Sequence, residues 1–372
     1  MRKLQCGART GDPVPVEHLG CSQEHELVEV VRLVLALPLL ASLASCSAWA
    51  PPGHYRLEPL TVQQMEINRE SSPGKPAERF LTLMLPVAAG NVSTSYEHLL
   101  PQQPTPSHPL ALKVRPLFFF EGSLARSHPF EPSLRHILIY WGCGEVAGKG
   151  QPRVINVDAV DDEQLTQLLA PSPNPTDSPG RLGVVSEAHR GVAYYSARIP
   201  EQAEVRGSHE LRAGPTRTRF TVGEQGDFLP PVAITRVRGP DQGGTTIRWE
   251  RTPGALAYFA NMYVQRSNGP IAVIWTSSRV PEAGYLLSQG HPGGDELTRL
   301  LEKGVLMHAD TQECTIPSAV MQHASHAMAI QVHTFGPETA IPATSSDMGL
   351  PSLAVRVAPR ASTTILLLNP GH

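Results

Sequence analysis

Apolar and polar positions alternate along most of this chain in runs the length of β-strands. In the first half such runs fall at Phe80–Leu85, Leu110–Phe120, Arg135–Trp141, Arg153–Val157, Val192–Arg198 and Thr216–Val222. Leu110, Leu112 and Val114 alternate with Ala111, Lys113 and Arg115, as a strand with one buried face requires. Thr218, Phe220 and Val222 likewise oppose Arg217 and Arg219. Arg135–Trp141 is continuously apolar from Ile137 and predicts a strand buried on both faces. In the second half Tyr258, Ala260, Met262 and Val264 alternate with Phe259, Asn261, Tyr263 and Gln265. The turn residues Ser267–Pro270 and a return strand Ile271–Trp275 complete a hairpin signal. Ala327–Phe335 and Leu353–Val357 follow as strands, and Thr363–Leu368 reads as an edge strand or a packed tail.

Helical spacing appears twice. Asp161–Leu169 puts Leu165, Leu168 and Leu169 on one face, and Asp295–Lys303 does so with Leu297, Leu300 and Leu301 before a stop at Gly304. The expected fold is therefore mainly β, in two β-rich domains with two short helices. Loops by composition, at 99–109 and 170–175, and a short linker at 226–231 set the expected boundaries. These are a leader over 1–45, a tether over 46–75, a β-rich domain over 76–226 and a second β-rich domain over 227–372.

One stretch breaks the strand pattern. Arg32–Cys46, RLVLALPLLASLASC, carries a single charge before an apolar run, then the small residues Ala41, Ser42, Ala44 and Ser45. The run is too short for a membrane span of about 20 apolar residues and suits a signal peptide. Its end, Leu43-Ala44-Ser45-Cys46, resembles the lipobox of bacterial lipoproteins, and the whole is identified with a proteobacterial lipoprotein signal. That resemblance implies cleavage before Cys46, acylation of its thiol, and anchorage in a lipid bilayer facing the periplasm. Ser47 in place of aspartate implies the outer membrane by the same resemblance. The signal begins far inside the chain, after an acidic cluster of Glu24, Glu26 and Glu29, so Val28, Val30 or Val31 is a candidate start. If Met1 is the true start, a cytosolic protein is the alternative.

A second resemblance lies in the C-terminal half. Thr245-Thr246-Ile247-Arg248-Trp249, then Gly254-Ala255, then Tyr258 resembles the B and C strands of fibronectin type III-like and immunoglobulin-like domains. It covers a short span around Trp249 and implies that the domain over 227–372 is a β-sandwich in which Trp249 and Tyr258 pack in the core.

The chain carries 31 basic and 34 acidic residues, and loss of residues 1–45 takes four and five of these, leaving a net charge near −2. That gives no electrostatic reason to expect nucleic acid. Proline and glycine are abundant, at 36 and 31 residues, consistent with strands and turns rather than long helices. After cleavage only Cys143 and Cys314 would remain beside Cys46. They fall in different expected domains, so two separate buried thiols are the expectation, with a bridge as the alternative.

Candidate chemistry is sparse. Trp141-Gly142-Cys143-Gly144-Glu145 follows a core strand, and a thiol there could serve as a nucleophile if an imidazole activated it. A packed thiol in a glycine turn is the simpler reading. The run from Ile137 to Pro152 resembles exported proteobacterial proteins and implies a lineage without an activity. His323 and His326 have the spacing of a two-ligand metal site on a helix, but His333 lies in a strand pattern and no partner completes a tetrahedron. No Gly-x-Ser-x-Gly, phosphate loop or His-Glu-x-x-His occurs, so no cofactor is expected. The expected role is a membrane-anchored, non-catalytic binding or structural module with an envelope protein partner. An envelope enzyme using Cys143 is the alternative.

Overall fold

Long-range strand pairing dominates the computed structural model, which describes residues 54–67, 76–88, 95–101, 110–116, 134–160, 190–201, 204–213, 216–238, 243–265, 269–281, 287, 291–323, 327–345 and 354–368. The first half contributes β1 (His54–Ile67), β2 (Glu78–Ala88), β3 (Tyr96–Leu99), β4 (Leu110–Pro116), β5 (His136–Trp141), β6 (Arg153–Asn156), β7 (Arg190–Ile199), β8 (Gly207–Ala213) and β9 (Thr216–Val222). Then follow β10 (Ile234–Arg238), β11 (Thr245–Trp249), β12 (Ala257–Gln265), β13 (Ile271–Thr276) and helix α1 (Gly294–Glu302). The chain continues through β14 (Met307–His308), β15 (Glu313–Ile316), helix α2 (Ser318–Met321), β16 (Ala327–Phe335), β17 (Thr339–Ile341), β18 (Thr344–Ser345), β19 (Ala354–Val357) and β20 (Arg360–Leu368). The protein is mainly β. The helix expected at Asp161–Leu169 lies outside the described residues.

One long sheet runs in the order β6-β5-β13-β12-β16-β20-β1-β2-β7-β4. Two smaller sheets pack against it. Strands β3, β8 and β9 form one, joined at its edge by β4, which pairs with β3 through Leu112 and with β7 from Lys113 onward. The other is β10-β11-β15. The first sheet closes a core with Tyr55, Leu57, Leu81, Leu83, Leu211, Phe220 and Val222. The second closes a core with Ile247, Trp249, Tyr258, Met262, Trp275, Ile330 and Val332. Tyr55 and Leu57 share the odd-numbered side of β1, and Met65 on that side pairs with Ile365 of the second core, so both small sheets cover one face of the long sheet. The connector between them crosses that face, with Thr61 Oγ1 donating to the Leu229 carbonyl and Thr363 Oγ1 to that of Val232. Helix α1 covers part of the opposite face, where Leu297 and Leu300 pack on Phe259 and Phe335.

The boundaries expected from sequence need correction. Residues 54–67, expected within a tether, form a strand flanked by β2 on one side and by β19 and β20 on the other. Thr363–Leu368, expected at an edge, lies inside the sheet between β16 and β1. The division at 226/227 is crossed by the pairing of β13 with β5 and of β20 with β1. Local composition marks turns well, but it carries no record of which distant strand completes a ladder.

Candidate functional site

The loop after β5 is where local sequence pointed to chemistry. Gly142 has φ of +91°, which lets the chain turn sharply after Trp141. The Trp275 indole N–H donates to the Gly142 carbonyl at 3.0 Å, and Gln151 holds Trp141 through both its amide atoms. The Gly144 N–H donates to the Thr315 carbonyl at 2.7 Å, so the loop lies along the edge of β15. Cys143 is bonded to Cys314, with Cα atoms 5.1 Å apart. The expectation of two separate thiols is therefore corrected, and so is the candidate nucleophile, because a bridged sulfur carries no thiolate. The bridge ties the end of a long-sheet strand to the small sheet facing it.

His323 and His326 are only weak candidates for a metal site, and the described residues gather no metal-binding group around His323. His323 is partly buried, with its ring 6.2 Å from that of Tyr140. His326 lies outside the described residues. His333 is buried in β16, and its Nε2 bonds the Asn261 Oδ1 at 2.9 Å. Among the described residues no group of three or more His, Cys, Asp and Glu could hold a metal ion.

Two clusters without local sequence signal are more distinctive. On the α1 side of the long sheet, Arg56 and Glu58 of β1 are each 2 % exposed and Arg360 of β20 is 4 % exposed. Arg56 Nε is 3.0 Å from one Glu58 oxygen, and Arg360 Nε is 3.7 Å from the other. Glu338 joins them, 3.8 Å from Arg56 and ion-paired with Arg356. Arg56 also donates to the His291 carbonyl. The Gly293 N–H donates to His291 Nδ1, so Nε2 carries the proton and donates to the Gly336 carbonyl at 2.8 Å. Burial, with the nearby arginines, lowers the pKa of His291 and of His333 to about 3. Two carboxylates thus hold three guanidiniums, with both imidazoles kept neutral.

This arrangement makes stability fall with acid. The unfolded chain protonates each ring below about pH 6.5 while the folded chain resists protonation until about pH 3. Stability is fully present above that window and is lost as pH falls through it. At pH 5.5 each ring costs on the order of 1 kcal/mol relative to pH 7.5. Urea unfolding at the two pH values reads the loss, and His333→Gln should flatten the dependence. Equal stability at both pH values would contradict it.

The second cluster lies between the long sheet and the β3-β8-β9 sheet. Tyr55, His98 and His209 are at most 1 % exposed. The Tyr55 hydroxyl bonds His98 Nδ1, His98 Nε2 lies 2.8 Å from His209 Nδ1, and His209 Nε2 bonds the Val205 carbonyl. His209 stacks on Phe220, with centroids 5.1 Å apart. Beside it opens a groove of about 680 Å³ lined in part by Leu99, His209, Glu210, Arg219 and Phe220. Glu210 is ion-paired with both Arg212 and Arg219, so the groove wall carries compensated charge.

No family model matches the chain, and no curated protein matches it. Among solved structures it is similar to the mu homology domain of Fcho1 from Danio rerio with a bound Eps15 peptide, at 7 % identity and a TM-score of 0.24 over 87 % of this chain and 99 % of that one. It is also similar to the yeast delta-COP-I mu-homology domain, at 8 % identity and a TM-score of 0.26 over 86 % of this chain and 99 % of that one. At these TM-scores the likeness assigns neither a family nor a function.

Proposed function

We propose that the chain is an exported lipoprotein of the bacterial envelope. It is held in the bilayer by an acylated Cys46, faces the periplasm, and acts as a non-catalytic binding or structural module for an envelope protein. Ser47 favours the outer membrane on the lipobox resemblance. The observation that carries this reading is the Cys143–Cys314 bridge. Disulfides persist in oxidising compartments and are rare in the cytosol. The bridge thus favours export over the cytosolic alternative, and it consumes the thiol that the enzymatic alternative needs.

The fibronectin type III-like reading of the C-terminal half has its own support. Strands β10, β11 and β15 face β13, β12, β16 and β20, a three-on-four sandwich. Trp249 and Tyr258 pack together in its core, with ring centroids 5.6 Å apart. Domains of this kind offer loops and sheet surfaces to partners.

Fractionation of the native host tests anchorage. The protein should sediment with membranes and partition into detergent, and Cys46→Ala should appear in the soluble fraction or as an uncleaved precursor. A soluble wild-type protein indistinguishable from Cys46→Ala would refute the lipoprotein reading.

A further inference from the structure

We propose that the buried line Tyr55–His98–His209–Val205 is an acid-released latch holding the β3-β8-β9 sheet against the long sheet. Its geometry leaves one arrangement of protons. A carbonyl only accepts, so His209 Nε2 carries a hydrogen and donates it to Val205. In a neutral ring His209 Nδ1 must then accept, so His98 Nε2 donates to it. His98 Nδ1 in turn accepts from the Tyr55 hydroxyl. Every polar atom of the line is satisfied with both rings neutral. The line starts on β1 of the long sheet and ends on the small sheet, so it spans the interface between them.

A proton from solvent finds no place in this line. On His209 Nδ1 it meets the N–H of His98. If the His98 tautomer shifts to accept it, the N–H at Nδ1 turns toward Tyr55, and the hydroxyl hydrogen of that fully buried residue loses its acceptor. Among the described residues no charged side chain faces the rings to offset the charge. Glu97 and Glu210 alternate to the outer side of β3 and β8, and Arg56 and Glu58 to the other side of β1. Arg217 and Arg219 of β9 are exposed, on the side opposite Phe220. The long-sheet residues that complete this core, among them Leu81, Leu83, Ile199 and Val357, are apolar. Among the described residues the other titratable groups near the line are Tyr96 of β3, whose pKa burial raises, and Asp227, whose Oδ1 accepts the Val205 N–H at 3.1 Å. Burial lowers His209 to about 4 and His98 well below the ordinary range, with the neighbouring His209 adding to the effect on His98. Below about pH 6.5, opening the interface lets both rings take up protons that the closed interface refuses. Opening exposes the apolar core around Phe220 beside the groove. The second sandwich is tied instead by the Cys143–Cys314 disulfide.

Hydrogen exchange of the full chain in detergent, corrected for the intrinsic pH dependence of amide exchange, tests the latch. Amides of β3 and β8 should lose protection between about pH 6.5 and 4, ahead of those of β11 and β15 in the disulfide-tied small sheet. The triple variant Tyr55→Phe, His98→Leu, His209→Phe should keep β3 and β8 protected to a pH about one unit lower. Unchanged protection of β3 and β8 at about pH 4.5, simultaneous loss across β11 and β15, or the same pH dependence in the triple variant would each overturn the proposal. Ring nitrogen NMR of the wild type decides the matter if that variant does not fold. Both rings should be Nε2–H tautomers at neutral pH and stay neutral while β3 and β8 remain protected. A ring titrating near its ordinary value of about 6.5 inside a protected sheet overturns the latch.

Discussion

Replacing both Cys143 and Cys314 with alanine is expected to lower the unfolding free energy by about 5 kcal/mol. The bridge closes a loop with a sequence separation of 171 residues. In the chain-entropy account, a loop of that length removes about 5 kcal/mol of freedom from the unfolded ensemble, at the upper end of what disulfides contribute. Alanine is the appropriate replacement because Cys314 is buried among apolar side chains, where a serine hydroxyl would add a desolvation cost. The loop after β5 keeps its bond from Gly144 to Thr315, so the folded state should retain its arrangement while losing depth. Urea unfolding of the variant, beside the wild type with and without a reductant, reads the effect. The reduced wild type should approach the variant, and a variant as stable as the oxidised wild type would contradict the account.

Glu58→Ala is expected to cost about 3–5 kcal/mol, the range for breaking a buried ion pair by removing one partner. Arg56 and Arg360 would remain buried on either side of the vacated position, and the neutral His291 and His333 could not replace the lost charge. With only Glu338 left to balance the arginines, the long sheet would weaken where β1 meets β19 and β20. Glu58→Gln should cost less, since an amide oxygen keeps a partial negative charge facing the guanidiniums. The exposed pair Arg135–Asp158, with side chains 53 % and 58 % exposed, supplies the contrast, and Asp158→Ala should change stability by about 0–1 kcal/mol. Thermal or urea denaturation of the three variants distinguishes them. A Glu58→Ala protein within the range of Asp158→Ala would show that the buried cluster is not a stabilising network.

The sequence was most legible where burial follows a local period. The continuous apolar run of β5, the alternation in β9, and the core face Tyr258, Ala260, Met262 and Val264 of β12 all appear in the structure as read. Helix α1 buries Leu297 and Leu300 and stops near Gly304, whose φ of +71° suits a helix end. Strand β1 shows the limit. Its sequence holds Arg56, Glu58, Pro59, Gln63 and Gln64, a composition that argues against an interior strand. The charges are buried because their partners arrive from residues 338–360, and Pro59 falls where the neighbouring chain steps from β19 to β20. Nothing local to His98 announces a contact with His209, 111 residues later. For the disulfide the one available signal was arithmetic, two cysteines left if the chain is cleaved before Cys46, and geometry had to supply the pairing.

Intact mass spectrometry of the protein extracted from membranes of its native host tests the central claim most directly. The account predicts a chain beginning at Cys46, heavier by its acyl groups and lighter by the two hydrogens lost in the Cys143–Cys314 bridge. An unmodified full-length chain with both thiols reduced, recovered from the soluble fraction, would contradict export, anchorage and the oxidising compartment together.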